Sequence, residues 1–152
     1  MQIHDEAQRV MVVEDDPTFL QFWRRLLNEL QIDGVELVSD ADKAAKMLAA
    51  SPYTLLISDV ILPSRNGFEL AELARKHHPE IEVLLTTAYG AKLKHFSLDE
   101  HRFHLLHKPY TNLAELKRLV THLVAGEDVF SDASEDSFSD NEDYPEVTEW
   151  KL

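Results

Sequence analysis

Short apolar runs and longer amphipathic segments alternate along the chain. Runs of four to six aliphatic or β-branched residues predict strands, and segments with apolar residues three and four positions apart predict helices. Helix-length connections between successive strands favour a parallel sheet with helices on both faces. The predicted strands are residues 10–13, 35–38, 54–58, 81–86 and 103–106.

The predicted helices begin at residues whose side chains cap helix N-termini. Asp16 precedes Pro17, Asp40 precedes an alanine-rich segment, and Asn112 precedes the last amphipathic segment. The segment at 91–100 has the weakest helical pattern. The predicted helical regions are residues 17–33, 41–50, 68–78, 91–100 and 113–124. We therefore predict an α/β fold with a five-stranded, doubly wound parallel sheet.

The composition changes after Gly126. Residues 127–152 contain ten acidic residues and one lysine, so they carry −9 of the total charge of −13 and leave −4 for the rest. We interpret this segment as a disordered tail, because it offers too little apolar surface to offset the entropy of ordering. The alternative is a docking segment whose isolated aromatic residues bind a partner or fold back on the domain. The predicted organisation is an N-terminal extension (1–8), one domain (9–125) and an acidic tail (126–152).

Several classes of protein are disfavoured by the composition. The chain contains no cysteine, which excludes disulfides, thiolate metal sites and a cysteine nucleophile. No stretch approaches the roughly 20 apolar residues of a membrane span, and residues 1–9 lack the apolar core of a signal peptide. The acidic charge argues against direct nucleic-acid binding. We expect a soluble, cytoplasmic protein that contacts neither membrane nor nucleic acid.

Chemically suggestive residues follow four of the five predicted strands. In an open parallel sheet, functional groups gather outside the carboxyl ends of the strands. Oxygen ligands suit Mg²⁺, and a carboxylate beside the metal can act as a nucleophile toward phosphorus. A hydroxyl and an ammonium group can stabilise the phosphoryl oxygens. These strand-end residues are Glu14, Asp15, Asp16, Asp59, Thr86, Thr87 and Lys108.

Four motifs stand at the ends of these strands. They are Val-Val-Glu-Asp-Asp at 12–16, Ile-Ser-Asp-Val-Ile-Leu-Pro-Ser-Arg-Asn-Gly at 57–67, Leu-Leu-Thr-Thr-Ala-Tyr at 84–89 and Lys-Pro-Tyr at 108–110. With these motifs in this order, the sequence resembles the receiver domain of bacterial response regulators over about residues 9–125. The resemblance implies a flavodoxin-like fold with strand order 2-1-3-4-5.

The resemblance also implies a metal site. Asp59 matches the phosphoacceptor, and Asp15 matches the carboxylate that binds Mg²⁺ directly. Glu14 matches the acidic neighbour that acts through water. The backbone carbonyl of Ile61 would complete the protein's share of the metal shell.

The remaining matches concern the phosphoryl group. Thr87 corresponds to the hydroxyl that contacts it, with the Ala88 backbone N–H nearby. Lys108 corresponds to the ammonium that pairs with it, and Pro109 to a proline that commonly follows in a cis peptide. Asp16 and Thr86 remain outside this set, since Asp16 is a predicted helix cap and Thr86 is expected to point into the sheet.

The function implied is that of a single-domain response regulator. It would accept a phosphoryl group on Asp59 from a histidine kinase or a histidine phosphotransfer protein, and would catalyse only its own phosphorylation and dephosphorylation. Its output would be phosphorylation-dependent contact with a downstream protein, to which the tail contributes. Because the tail directly follows the last helix, we hypothesise that its position is linked to phosphorylation.

Departures from the family pattern leave a second interpretation open. Leu105 stands where receivers usually carry Tyr or Phe, and Phe103 and Tyr89 are the nearby aromatics that would have to replace it. His101-Arg102 replaces the usual Gly-Ala pair. The alternative is a pseudo-receiver scaffold that binds a partner through the altered face of the fourth predicted helix and the fifth strand and through the tail, without a phosphorylation switch. A phosphatase of the aspartyl-nucleophile kind is disfavoured, since Ile61 occupies the position of its acid/base carboxylate.

Overall fold

The computed structural model describes residues 8–88 and 103–126, and the backbone of residues 147–150. Four predicted helices are confirmed; the predicted helix at 91–100 lies outside the described residues. The strands are β1 (Val10–Val13), β2 (Val35–Val38), β3 (Leu55–Asp59), β4 (Glu82–Thr87), β5 (Phe103–His107) and β6 (Val147–Trp150). The helices are α1 (Pro17–Glu29), α2 (Ala41–Ala50), α3 (Gly67–His77) and α4 (Leu113–Ala125).

The strands form one parallel sheet in the order β2-β1-β3-β4-β5-β6. The first five strands confirm the predicted order. Three strands end one residue later than predicted, so Asp59, Thr87 and His107 are the last residues of β3, β4 and β5. The register pairs Asp59 with Thr86 and Thr87 with His107, which brings three strand ends to one edge of the sheet.

Two apolar layers enclose the sheet. Met11 and Val13 face the layer that contains α2 and α3, whereas Val10 and Val12 face the layer that contains α1 and α4. Successive side chains of β1 thus point to opposite layers and are all buried, as expected for a parallel strand that helices cover on both faces. The doubly wound prediction is therefore confirmed. Among the described residues, no helix has the length and apolar character needed to cross a bilayer.

The predicted helix caps are confirmed by their hydrogen bonds. The Asp16 carboxylate accepts from the Thr18 N–H at 2.8 Å, and the Asp40 carboxylate accepts from the Asp42 N–H at the same distance. The Asn112 side chain accepts from the Glu115 N–H at 3.2 Å. These bonds satisfy N–H groups that have no partner within the helix.

The first helix ends earlier than the sequence suggested. It stops at Glu29 rather than just before Gly34, because Gln31 adopts a left-handed conformation with φ of 60°. The N–H of Ile32 then donates to the carbonyl of Leu27 at 3.0 Å, which closes the helix C-terminus.

The prediction that the whole 126–152 segment is disordered is wrong for residues 147–150. These residues form β6 and pair in parallel with β5, from Phe103 opposite Val147 to Leu106 opposite Trp150. The physical reason is the open edge of β5, whose backbone groups can bind an added strand. The structure does not describe residues 127–146.

Candidate functional site

The carboxyl ends of β1, β3, β4 and β5 assemble the candidate site. These four strands are neighbours in the sheet, so residues that are far apart in sequence meet at one edge. Glu14 directly follows β1, Asp59 and Thr87 end β3 and β4, and Lys108 directly follows β5. Sequence reasoning selected all four residues, and the fold places all four at this edge.

Three carboxylates form a compact acidic cluster. One oxygen from each of Glu14, Asp15 and Asp59 lies within 4.8 Å of the others. Glu14 is buried, Asp15 is exposed, and Asp59 is half-buried. Carboxylates this close repel one another unless a cation or a proton compensates. The cluster therefore favours positive charge, and the exposed Asp15 gives it a side open to solvent.

Lys108 supplies positive charge to two of these carboxylates. Its ammonium donates to Asp59 Oδ2 at 2.8 Å and to Glu14 Oε2 at 2.9 Å. Burial by itself would lower the pKa of Lys108, but the hydrogen bonds and charges of Asp59 and Glu14 outweigh this effect and raise the pKa above 10.5. Lys108 is therefore a fixed cation at neutral pH.

The environment of Glu14 disfavours its negative charge even though Lys108 donates a hydrogen bond to it. Burial raises its pKa above the usual 4.5; the Lys108 hydrogen bond opposes this shift, and the nearby Asp59 charge adds to it. The Asp16 N–H also donates to Glu14 Oε1, at 3.2 Å. A second cation at the cluster would relieve the remaining cost of burying this carboxylate.

The loop after β3 fixes the orientation of Asp59. The Ile61 N–H donates to Asp59 Oδ1 at 3.0 Å, while Asp59 Oδ2 accepts from Lys108. The Val60 N–H donates to the Thr86 carbonyl at 2.8 Å and anchors the loop to β4. Both oxygens of Asp59 are thus held by groups from different elements. The role of the Ile61 carbonyl as a metal ligand stays a prediction.

Gly67 allows the first turn of α3 to lie against the strand that bears Asp59. Its N–H donates to the Val60 carbonyl at 2.7 Å. A Cβ atom at this position would lie 2.5 Å from the Asp59 carbonyl oxygen and 3.0 Å from the Val60 Cα. Backbone atoms cannot withdraw as the end of a flexible side chain can, so only glycine fits here.

We expect Gly67→Ala to destabilise the protein by about 2 kcal/mol, because relieving the clash requires a backbone shift at Asp59. Chemical denaturation followed by circular dichroism measures this loss. Because alanine has a higher helix propensity than glycine, a loss of stability in this variant reflects the clash and not the helix propensity. Equal stability of the Gly67→Ala variant and the unmodified protein would show that the loop relaxes without cost.

Thr87 and its neighbours complete the rim. Thr87 is fully buried at the end of β4, and its carbonyl accepts from the Lys108 N–H at 2.8 Å. Thr86 is buried, as expected for a residue that points into the sheet, and Ala88 is exposed. The Lys108–Pro109 peptide is cis, as the resemblance implied. Contact of Thr87 and the Ala88 N–H with a phosphoryl group stays a prediction.

Sequence reasoning did not assign the aromatic side chains that surround Lys108. The Lys108 ammonium lies 4.1 Å from the centre of the Phe19 ring, and the Phe19 and Tyr110 rings meet edge to face at 5.5 Å. Trp23 packs edge to face on Tyr110 at 5.6 Å, and Trp23 itself belongs to the buried core. Two positions in the sequence could have indicated these contacts. Phe19 lies one helical turn after the acidic motif, and Tyr110 lies two residues after Lys108.

Leu105 is buried in the core rather than placed at the rim. It belongs to the apolar layer with α2 and α3 and is 3% exposed. Phe103, which was considered as a replacement aromatic, lies in the same layer and packs edge to face on Phe68 at 5.5 Å. Phe103 therefore has a core role, and Tyr89 lies outside the described residues.

Comparison with known proteins identifies the family. Residues 10–121 match the model of the response regulator receiver domain. The chain is 39% identical over 87 residues to the response regulator protein FleR of Pseudomonas aeruginosa, covering 56% of this chain and 18% of that protein. It is 34% identical over 109 residues to the transcriptional regulatory protein TcrA of Mycobacterium tuberculosis, covering 71% of this chain and 42% of that protein. The chain thus spans less than half the length of these two relatives.

Solved structures show the same fold. A response regulator receiver protein from Sinorhizobium medicae has a TM-score of 0.65 and 22% identity, covering 79% of this chain and 96% of that structure. The response regulator protein TrrA from Thermotoga maritima, in complex with Mg²⁺-BeF, has a TM-score of 0.62 and 27% identity, covering 76% and 98% respectively. With its matched domain and its strand-end site, the chain belongs to the response regulator receiver domain family.

Proposed function

We propose that the chain is a phosphorylation switch in which Asp59 accepts a phosphoryl group from a histidine kinase or a histidine phosphotransfer protein. The observation that carries the proposal is the arrangement around Asp59. A half-buried carboxylate is oriented through both oxygens and lies 2.8 Å from a buried ammonium group, with two further carboxylates beside it.

The acidic cluster supports Mg²⁺ as the cofactor. Its donor set contains oxygen only, which suits a hard divalent cation, and the raised pKa of Glu14 marks a place where added positive charge is favourable. Asp15, Asp59 and the Ile61 carbonyl would bind the ion directly, and Glu14 through water. The ion supplies positive charge that offsets the charge of the incoming phosphoryl group.

The chain's own residues supply orientation and charge for the transfer. An oxygen of Asp59 forms a bond to phosphorus while the bond between phosphorus and the donor histidine nitrogen breaks. Lys108 exchanges its bond with Asp59 Oδ2 for one with a phosphoryl oxygen, and the Thr87 hydroxyl binds another. Phosphoryl transfer depends mostly on such positioning and electrostatic stabilisation. No general base is needed, because an ionised carboxylate has no proton to lose when it attacks phosphorus.

The output we propose is phosphorylation-dependent contact with a downstream protein, to which the acidic tail contributes. Catalysis by the chain is limited to its own phosphorylation and the hydrolysis of the aspartyl phosphate. A pseudo-receiver scaffold is the second candidate. Leu105 favours it, because a buried aliphatic side chain stands where receivers usually carry the aromatic residue of the switch.

A small phosphodonor distinguishes the two candidates. We expect intact mass spectrometry to show one added phosphoryl group after incubation with acetyl phosphate and Mg²⁺, and none with EDTA in place of Mg²⁺. Peptide mapping should place the group on residue 59. No mass gain in folded protein, with Mg²⁺ binding shown separately, would reject the switch in favour of the scaffold.

A further inference from the structure

The outer edge of β5 is covered by β6. Residues Phe103 to Leu106 of β5 are buried, and their backbone pairs in parallel with residues 147–150. Without β6, this apolar strand would form one edge of the described sheet. An uncovered edge presents unpaired N–H and C=O groups to which a further strand can add. The edge is therefore a binding site for an extended peptide segment, and β6 is its occupant.

Occupation of this edge is reversible on energetic grounds. The strand contains four residues, and each backbone hydrogen bond contributes a net amount of about 1 kcal/mol. Fixing the backbone of each residue costs about 1–2 kcal/mol. Residues 127–146 connect β6 to the end of α4, and nine of these 20 residues are acidic. Because the hydrogen bonds do not contribute more than the ordering costs, and because the connection is long, the strand can leave the edge while the rest of the sheet persists.

The edge is adjacent to the candidate site. Leu106, which pairs with Trp150 of β6, lies two positions before Lys108 along the chain. The other side of β5 pairs with β4, and the Lys108 N–H donates to the Thr87 carbonyl at 2.8 Å. With β6 bound, β5 is held from both sides just before the residue whose ammonium contacts Asp59.

We propose that the outer edge of β5 is a strand-binding site for residues 147–150, and that its occupation accelerates phosphoryl acceptance by holding Lys108 in place. The second half of this proposal rests on the proposed function of Asp59. The mode of recognition is parallel strand addition, in which the backbone of an extended segment supplies the hydrogen bonds. A peptide with the sequence of residues 144–152 should therefore bind the same edge when β6 cannot.

The test uses the full chain with Thr148→Pro and Glu149→Pro together. Successive residues of a strand direct their N–H groups to opposite sides, so one of the two prolines removes an N–H that faces β5. The matched control carries Ser134→Pro and Ser137→Pro in the connecting segment. Amide hydrogen exchange resolved by NMR reports the pairing of each β5 residue.

We expect the outer amides of β5 to exchange at least about tenfold faster in the strand variant, with the amides that bond to β4 unchanged. The β4-facing amides also verify that the variant is folded. A synthetic peptide of residues 144–152 should restore the protection, whereas a scrambled peptide should not. Unchanged protection in the strand variant, or no restoration by the peptide, would overturn the strand-binding site.

Phosphorylation kinetics test the link to Asp59. With acetyl phosphate and Mg²⁺, the strand variant should gain its phosphoryl group about three- to tenfold more slowly than the proline control, and the peptide should restore the rate. Lost protection with an unchanged rate would refute the coupling while keeping the strand site. If neither the strand variant nor the unmodified chain gains mass, the proposed function fails, and hydrogen exchange still decides whether the strand site exists.

Discussion

Replacing Asp59 by asparagine should abolish the Mg²⁺-dependent gain of a phosphoryl group and leave the fold intact. An amide of the same size is not a nucleophile toward phosphorus. Its oxygen can still accept the Ile61 N–H, and Lys108 keeps its bond to Glu14. The substitution also removes one of three clustered carboxylates, which lowers their mutual repulsion. The variant should therefore unfold at the same denaturant concentration as the unmodified protein, or a higher one.

Intact mass after incubation with acetyl phosphate and Mg²⁺ gives the measurement. Asp33→Asn is the matched control, because it makes the same change at an exposed carboxylate that does not lie at the carboxyl ends of the strands. The control should gain one phosphoryl group as the unmodified chain does. A full gain in the Asp59→Asn protein would mean that another side chain is the acceptor, and peptide mapping would then locate it.

Replacing Lys108 by methionine should have two large effects. The first is a loss of stability of about 3 kcal/mol at neutral pH, because Glu14 and Asp59 would lose the buried cation that compensates them. The second is a decrease of about a hundredfold in the rate of phosphoryl acceptance, the size typical for loss of a group that stabilises developing charge.

The dependence of this stability loss on pH has a definite sign. In the unmodified protein the pKa of Lys108 is raised, so its contribution is fully present below about pH 10.5 and is lost as the pH rises through the folded-state pKa. In the methionine variant, Glu14 lacks its partner, and burial together with Asp59 favours its protonated form. Lowering the pH from neutrality should therefore narrow the difference in stability between the two proteins.

Urea denaturation at pH 7 and pH 5, with and without Mg²⁺, measures these changes. Mg²⁺ should stabilise the methionine variant more than the unmodified protein, since the ion replaces missing positive charge. Lys117→Met is the control. Its ammonium lies 2.7 Å from Glu29, but the two side chains are 39% and 58% exposed, so the expected loss is below about 1 kcal/mol. An equal loss from the two substitutions would contradict a buried ion-pair role for Lys108.

Local patterns were sufficient to predict most of the fold and the candidate residues. Five strands and four helices occupy the predicted segments, since apolar periodicity and capping side chains act over only a few residues. The parallel sheet places Glu14, Asp59, Thr87 and Lys108 at one edge, and the strand order that the family resemblance implied makes their strands neighbours. These parts of the protein follow from interactions that are local or repeated regularly along the chain.

Other features depend on partners that are distant in sequence. The double contact of Lys108 with Asp59 and Glu14 spans 49 and 94 positions. The clash that requires glycine at position 67 involves a backbone oxygen of β3. The packing of Tyr110 on Phe19 joins the loop after β5 to the first turn of α1. No periodicity marks such contacts, since they arise only when the elements pack.

The clearest division between sequence and tertiary structure is at β6. The sequence by itself determined a parallel α/β receiver domain, because apolar patterning and strand-end motifs specify it. The composition of residues 127–152 likewise marked the acidic segment that follows. Whether any part of that segment is ordered was decided by the tertiary structure. Four residues within an acidic stretch have no strand pattern strong enough to read, and their pairing depends on the edge that β5 offers once the sheet has formed.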